Sequence, residues 1–304
     1  MWLTSDLDKS LTPTGVALGN FDGVHIGHKQ VVKPVLLDEQ IYGSVISFNP
    51  HPKEFFTGQP RKLLTPIEEK AQQLKNLGVK QLILLPFDRE LARLSPEDFV
   101  QKILVEKLQV QKISVGEDFC FGKQRTGTAK YLQAIASEYN IDVSIIPLQT
   151  LEGERISSSH IRQALQHGNM AKANKLLGRS YSLIGKVIYG NKLGRTIGFP
   201  TANLEISPDK FLPKMGVYAV NVNIGNDQIK SLPGVMNIGN RPTINGSNCT
   251  IEVHLFNWND NLYGETLTVN IEHFLRPEQK FPSLDELKSQ ISKDCDQAKI
   301  FLGT

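Results

Sequence analysis

Two textures divide this chain. From Thr14 to about residue 147, short apolar runs alternate with stretches whose apolar positions recur every three to four residues. The runs at 14–19, 44–48, 81–85, 112–116 and 143–147 read as strands, and the stretches between them as amphipathic helices. Two helix starts are marked: Thr65-Pro66-Ile67-Glu68 and Ser95-Pro96-Glu97-Asp98 each combine a hydroxyl N-cap, a first-turn proline and an acidic residue. Strands separated by helices predict a parallel sheet covered on both faces, with ligands bound at the carboxyl ends of its strands. A helical stretch at 157–177 is closed by Gly178. Beyond it, residues 183–188, 217–224, 229–235, 249–256 and 266–271 are β-rich, with turns full of Gly, Asn and Pro. No helix is expected again until Ser283-Leu284-Asp285-Glu286 caps a last one running to about Phe301. The expected fold is therefore α/β followed by all-β: a parallel-sheet domain over residues 1–178, then a small antiparallel barrel or sandwich with a terminal helix over residues 179–304.

The composition narrows the class of protein. Its 304 residues, 40% hydrophobic and 21% charged, suit a globular chain of two domains. The net charge of +3 is spread evenly, at +2 for residues 1–178 and +1 for the remainder. Neither half has the cationic excess by which proteins neutralise nucleic-acid phosphates, so no nucleic-acid partner is expected. The three cysteines are widely scattered, which argues against a disulfide framework. The N-terminus lacks a signal-peptide pattern and no apolar run is long enough to span a bilayer. A cytoplasmic enzyme without a membrane partner is expected; self-association is left open.

The stretch around which the first half is organised is G-N-F-D-G-V-H-I-G-H at 19–28, directly after a strand. Gly19 and Gly23 let backbone N–H groups approach phosphate oxygens, and a helical pattern follows. His25 and His28 can donate hydrogen bonds to charge growing on a phosphate. A glycine turn bearing two solvated histidines satisfies the same pattern. Asn49-Pro50-His51-Pro52 leaves the second strand at the same sheet edge. Residues 116–128 leave another strand end but miss a phosphate loop: Gly116 and Gly122 are one residue too far apart, and Gln124 replaces the hydroxyl residue. In I-S-S-S-H-I-R at 156–162, Ser158, Ser159 and Arg162 could hold triphosphate oxygens or merely cap a helix.

In the second half, G-F-P-T-A-N at 198–203 follows a glycine-rich segment containing Gly194 and Arg195. Thr201 and Asn203, two apart in an extended stretch, offer neutral oxygens on one side, suited to Mg²⁺ shared with nucleotide phosphates; a proline-stiffened turn is the plainer reading. Ile251, Val253 and Leu255 alternate with Glu252 and His254, which places the latter two opposite the core face. Glu252 could accept the proton of a substrate hydroxyl.

These residues resemble a family. H-x-G-H with a serine-rich S-S-[ST]-x-x-R segment is similar to the HIGH-type nucleotidyltransferases, whose domain is Rossmann-like. G-N-F-D-G-V-H-I-G-H, F-N-P-H-P, G-E-D-F-x-F-G and I-S-S-S-H-I-R together resemble the FMN adenylyltransferase half of bacterial bifunctional riboflavin kinase/FAD synthetases. The resemblance assigns Gly19, Phe21, Asp22, Gly23, His25, His28, Ser158, Ser159 and Arg162 to ATP. Asn49, His51 and Asp118 are the flavin-side candidates. Ser159 stands where the family usually has Thr, a change that keeps the hydroxyl. G-F-P-T-A-N, N-I-G-N-R-P-T at 237–243, I-E-V-H-L, D-N-L-Y-G-E and F-L-R-P-E-Q-K-F resemble the riboflavin kinase module, a small barrel. There the resemblance implies Gly194, Arg195, Gly198, Pro200, Thr201 and Asn203 at ATP, Thr201 and Asn203 at Mg²⁺, and Glu252 as base. The implied substrates are riboflavin, FMN and ATP, with FAD, pyrophosphate and ADP as products. An adenylyltransferase for another phosphate acceptor would not need the G-F-P-T-A-N half. A nucleotide- or RNA-binding module, the other rival, is disfavoured by the even charge distribution.

Overall fold

A computed structural model describes the chain except residues 191–193, 195–196, 226–230 and 244–245, with backbone only at 241–243 and 246–248. The chain divides into two compact units, Met1–Ser158 and Ser159–Thr304.

The first unit is built on six strands: β1 (Trp2–Thr4), β2 (Thr14–Leu18), β3 (Tyr42–Asn49), β4 (Gln81–Pro86), β5 (Val110–Gly116) and β6 (Asp142–Ile146). Their order is β1-β4-β3-β2-β5-β6 and every neighbouring pair is parallel. Alternate residues feed two separate cores. Val16, Leu18, Ile46 and Ile83 pack on one face; Ala17, Val45, Leu82 and Leu84 pack on the other. Coverage on both faces explains why the strands read as unbroken apolar runs. Helices α1 (Ile26–Val32) and α3 (Ile67–Asn76) contribute Val32 and Leu74 to the second core. Helix α4 (Ala129–Ser137) and the helical segment 96–107 contribute Leu132, Phe99 and Leu104 to the first. A short helix, α2 (Pro52–Thr57), follows β3.

Strand order reverses at β2: the chain steps outward through β3 and β4, then returns to lay β5 on the other side of β2. In open parallel sheets the crevice outside the carboxyl ends at such a reversal is where ligands bind. The loops after β2 and β5 both begin there. Strand β1, three residues long, was too short to show a period in the sequence.

One expected cap is used differently. Thr65 does not cap α3; its Oγ1 accepts from Gly23 N at 2.9 Å, and Pro66 takes the cap position without a side-chain bond. The hydroxyl is drawn away by the loop after β2. Ser95 does cap its helix, accepting from Asp98 N.

The second unit begins with helices α5 (Ser158–Gln166), whose first residue closes the first unit, and α6 (Met170–Leu177). The sequence pattern reads as one helix over 157–177, but the chain breaks at Gly168. There φ is +75°, and an added Cβ would sit 3.1 Å from the Phe274 ring. Six antiparallel strands follow: β7 (Tyr181–Ile188), β8 (Ala202–Ile206), β9 (Gly216–Ile224), β10 (Leu232–Thr243), β11 (Gly246–Leu255) and β12 (Thr266–Arg276). They close into a barrel in the order β7-β8-β11-β10-β9-β12, with β12 pairing back onto β7. The strand expected at 229–235 starts at Leu232, residues 229 and 230 lying outside the described ones, and runs on through 237–243. Helix α7 (Leu284–Leu302) ends the chain, capped by Ser283 Oγ accepting from Glu286 N.

Candidate functional site

In the first unit the loop after β2 is held in a costly conformation. Phe21 and Val24 take φ values of +47° and +42°, the left-handed region that side chains other than glycine rarely occupy. Both are buried, as are Asp22 and His25. Asp22 Oδ1 accepts from Thr65 N at 3.2 Å, and the Asp22 carbonyl accepts from Ser158 Oγ at 2.8 Å. The Gly19 N–H is tied to the Ile46 carbonyl on β3. His25 caps α1, its Nδ1 accepting from His28 N at 3.2 Å. The two imidazoles stack with centroids 3.5 Å apart and planes 14° off parallel, and Phe21 meets His28 edge-on. The paired histidines, the glycine loop and Ser158 thus gather at the carboxyl end of β2. Ser159 and Arg162 belong to the second unit, where the Arg162 guanidinium lies 5.5 Å over the Phe211 ring.

The flavin-side candidates are partly committed elsewhere. His51 Nδ1 caps α2 by accepting from Lys53 N at 3.0 Å, and Arg61 lies 3.2 Å from Nε2. Asp118 is ion-paired with Arg155. Asn49 ends β3, beside four phenylalanines that the sequence reading did not single out. Phe48, Phe55, Phe56 and Phe87 meet edge to face, with centroids 5.3–5.8 Å apart, and Phe56 is 70% exposed. The available signal was a Phe-Phe pair in the helix opened by His51-Pro52.

In the barrel, register builds the site. Asn203 on β8 pairs with Glu252 on β11, and Glu252 pairs on its other side with Asn237 on β10. Three polar side chains therefore stand in one row across three strands. Ile251, Val253 and Leu255 are buried, as their alternation demands. The row lines a cavity of about 540 Å³ together with Thr201, His254 and Arg276. Glycines let the chain fold over it. An added Cβ at Gly190 would fall 2.1 Å from Asn203 Nδ2, and one at Gly194 would fall 2.3 Å from the Phe199 carbonyl. Gly198 takes φ +90°. Arg195 lies outside the described residues.

His254 Nδ1 stands 2.8 Å from the Pro200 carbonyl. A carbonyl only accepts, so Nδ1 carries the proton and tethers the G-F-P-T segment to β11. Further along the same register, beyond Val217 on β9, Arg276 Nε and a terminal guanidinium nitrogen donate to the two Asp294 oxygens at 2.8 and 2.7 Å, joining the end of β12 to α7. Asp294 has 3% of its side chain exposed. Among the described residues no three His, Cys, Asp or Glu side chains form a metal-ligand group. A dication here would rest on the neutral oxygens of Thr201 and Asn203 and complete its shell from substrate and water, as Mg²⁺ sites commonly do.

Comparison with known proteins agrees with this division. A family model described as FAD synthetase matches residues 7–160, and one described as riboflavin kinase matches residues 177–302. A Haemophilus influenzae protein named bifunctional riboflavin kinase/FMN adenylyltransferase is 40% identical, over 98% of this chain and 97% of its own. An Escherichia coli protein of the same name is 41% identical, over 95% of this chain and 92% of its own. A crystal structure from Streptococcus pneumoniae, named as a macrolide-efflux protein, superposes with a TM-score of 0.85 at 32% identity, covering 96% of each chain. Among the described residues of the present chain, no helix is long and apolar enough to cross a membrane. Both family models match in order and the named relatives align nearly end to end, so the chain belongs to the bifunctional riboflavin kinase/FMN adenylyltransferase family.

Proposed function

We propose that this chain makes FMN and FAD from riboflavin in two ATP-dependent steps, each in its own domain. The observation that carries the reading is the row of Asn203, Glu252 and Asn237 on the wall of the barrel cavity, with Thr201 beside it.

In the kinase step Glu252 takes the proton of the ribityl 5′-hydroxyl. The freed oxygen bonds to the γ-phosphorus of ATP as the γ-phosphorus–oxygen bond to ADP breaks. Bound Mg²⁺ supplies charge neutralisation for the phosphates, and Thr201 and Asn203 are the residues that would hold it. The motif assigns Gly194, Arg195, Gly198 and Pro200 to the ATP side, and of these Gly194 lines the cavity.

In the adenylylation step no protein nucleophile is needed. An FMN phosphate oxygen attacks the α-phosphorus of ATP and pyrophosphate leaves. His25 and His28 stabilise the charge that develops, from a loop shaped by Gly19, Phe21, Asp22 and Gly23. Ser158 bonds the Asp22 carbonyl and so fixes the same loop. The motif assigns Ser159 and Arg162 to triphosphate oxygens as well. On the flavin side, the phenylalanine cluster beside Asn49, with Phe56 exposed, offers an apolar surface to the isoalloxazine ring. His51 and Asp118 stand as polar neighbours rather than free contacts, each already having a partner.

We place residues 1–178 in the adenylyltransferase domain, residues 179–304 in the kinase domain, and the enzyme in the cytoplasm. The test is direct. Purified protein given riboflavin, ATP and Mg²⁺ is expected to yield FMN first and FAD after it, read by separating the flavins. FMN without FAD would remove the adenylylation step, and FAD only from supplied FMN would remove the kinase step.

A further inference from the structure

The strained loop after β2 has an anchor that no motif contains. Lys70, on α3, is 6% exposed. Its Nζ donates to the Asn20 carbonyl at 2.8 Å and to Ser47 Oγ at 2.9 Å, while Ser47 Oγ itself donates to the Asn20 carbonyl at 3.2 Å. One carbonyl of the loop thus takes bonds from two elements, immediately before the left-handed Phe21. A left-handed non-glycine residue is strained and persists only where its surroundings hold it. Thr65 holds the loop at Asp22 and Gly23; Lys70 and Ser47 hold it at Asn20.

We propose that Lys70 is a positioning residue for adenylyl transfer: by gripping the Asn20 carbonyl it fixes the turn that carries His25 and His28. The proposal rests on the assignment of FMN adenylylation to this loop and extends it to a side chain that touches no substrate. A buried ammonium is an expensive anchor, and its energetics fit a strained loop. Burial pushes Lys70 down to about 8, against the upward pull of the Asp22 carboxylate. The groups that face it are Asp22 and the Asn20 carbonyl from the loop and the Ser47 hydroxyl from β3; Glu68 and Glu69 precede it on its own helix, one and two residues away and so turned to other sides. Losing the proton removes the charge that strengthens the bond to Asn20 and lets the loop relax.

The kinase activity of the same molecule serves as the internal control. Lys70→Met is expected to lower kcat for FMN adenylylation about tenfold to a hundredfold, the cost of a misplaced catalytic group. Its riboflavin kinase rate should stay within about twofold. In the unmodified enzyme, adenylylation should fall as pH rises through about 8, while phosphorylation shows no matching limb. The residual activity of Lys70→Met should lack that limb. The proposal is overturned if Lys70→Met adenylylates FMN at the unmodified rate. Should the variant fail to fold, the pH profile of the unmodified enzyme decides, and a flat adenylylation profile from pH 7 to 9.5 overturns it. Absence of any FMN adenylylation by the unmodified protein is a separate result, which removes the underlying assignment.

Discussion

Asn203 and Glu252 lie opposite one another in the antiparallel register of β8 and β11, so a neutral amide and a carboxylate share one wall of the barrel cavity. In the proposed reading this arrangement separates two tasks on neighbouring strands: one side chain for the metal-bound phosphates, the other for the hydroxyl proton. Replacing Glu252 by Gln keeps the shape and removes the proposed base. Riboflavin phosphorylation should fall at least about a hundredfold, the lower end of the usual range for a general base. FAD synthesis from supplied FMN should continue at the unmodified rate, as a coupled pyrophosphate assay would show.

Asn203→Ala tests the other partner. It removes an oxygen from the proposed Mg²⁺–ATP site and leaves the base in place. The expected result is a raised KM for Mg²⁺–ATP in the kinase assay, with a smaller loss in kcat. A change confined to riboflavin KM would place Asn203 on the flavin instead.

The stacked histidines give the reciprocal experiment. His28→Ala should lower FAD formation by two orders of magnitude or more, since it removes the donor proposed to stabilise developing phosphate charge. Phosphorylation of riboflavin should persist. Loss of both activities in a folded protein would contradict separate sites.

The Arg276–Asp294 pair predicts a stability effect. Asp294 is buried, and removing one member of a buried pair leaves the other charge stranded, at a cost of about 3–5 kcal/mol. Asp294→Ala should lower the urea midpoint of the barrel by that equivalent. Arg276→Met together with Asp294→Leu should recover much of it, because no charge then remains buried.

Lys70 gives a pH dependence of defined sign. Its folded pKa is about 8 and its ordinary value 10.5. Between those values the unfolded chain holds the extra proton, so stability rises with pH across that window and the group's penalty is full below it. Relative to Lys70→Met, the unmodified protein should gain on the order of 3 kcal/mol between pH 7.5 and 10.5, measured by urea unfolding. The adenylylation limb runs the opposite way, so loss of activity at alkaline pH is not loss of fold.

Much of the architecture was legible because it is periodic. Parallel strands covered on both faces leave unbroken apolar runs, and the alternation of Ile251, Val253 and Leu255 revealed which way Glu252 points. Register was not legible. Nothing in N-I-G-N-R says that Asn237 stands beside Glu252, since that depends on how two strands slide past each other. Lys70 was hidden because a lysine on an amphipathic helix reads as solvated until the loop above it is placed. Thr65 was misread for the same reason: a hydroxyl before a helix can cap it, but the loop after β2 competes for the bond and takes it. Asp294 was missed because an acidic residue on a terminal helix carries no mark of burial.

The seam of the barrel joins its first strand to its last: Tyr181 lies against Ile271, and Lys186 against Thr266. A nascent chain emerging from the ribosome therefore has every strand of the parallel sheet in hand by residue 146, yet cannot shut the ring until about ninety residues after β7 have followed it out. Until then two sheet edges stand open to any other unpaired strand nearby. The order of synthesis leaves the half that makes FMN as the last to become safe from misassembly.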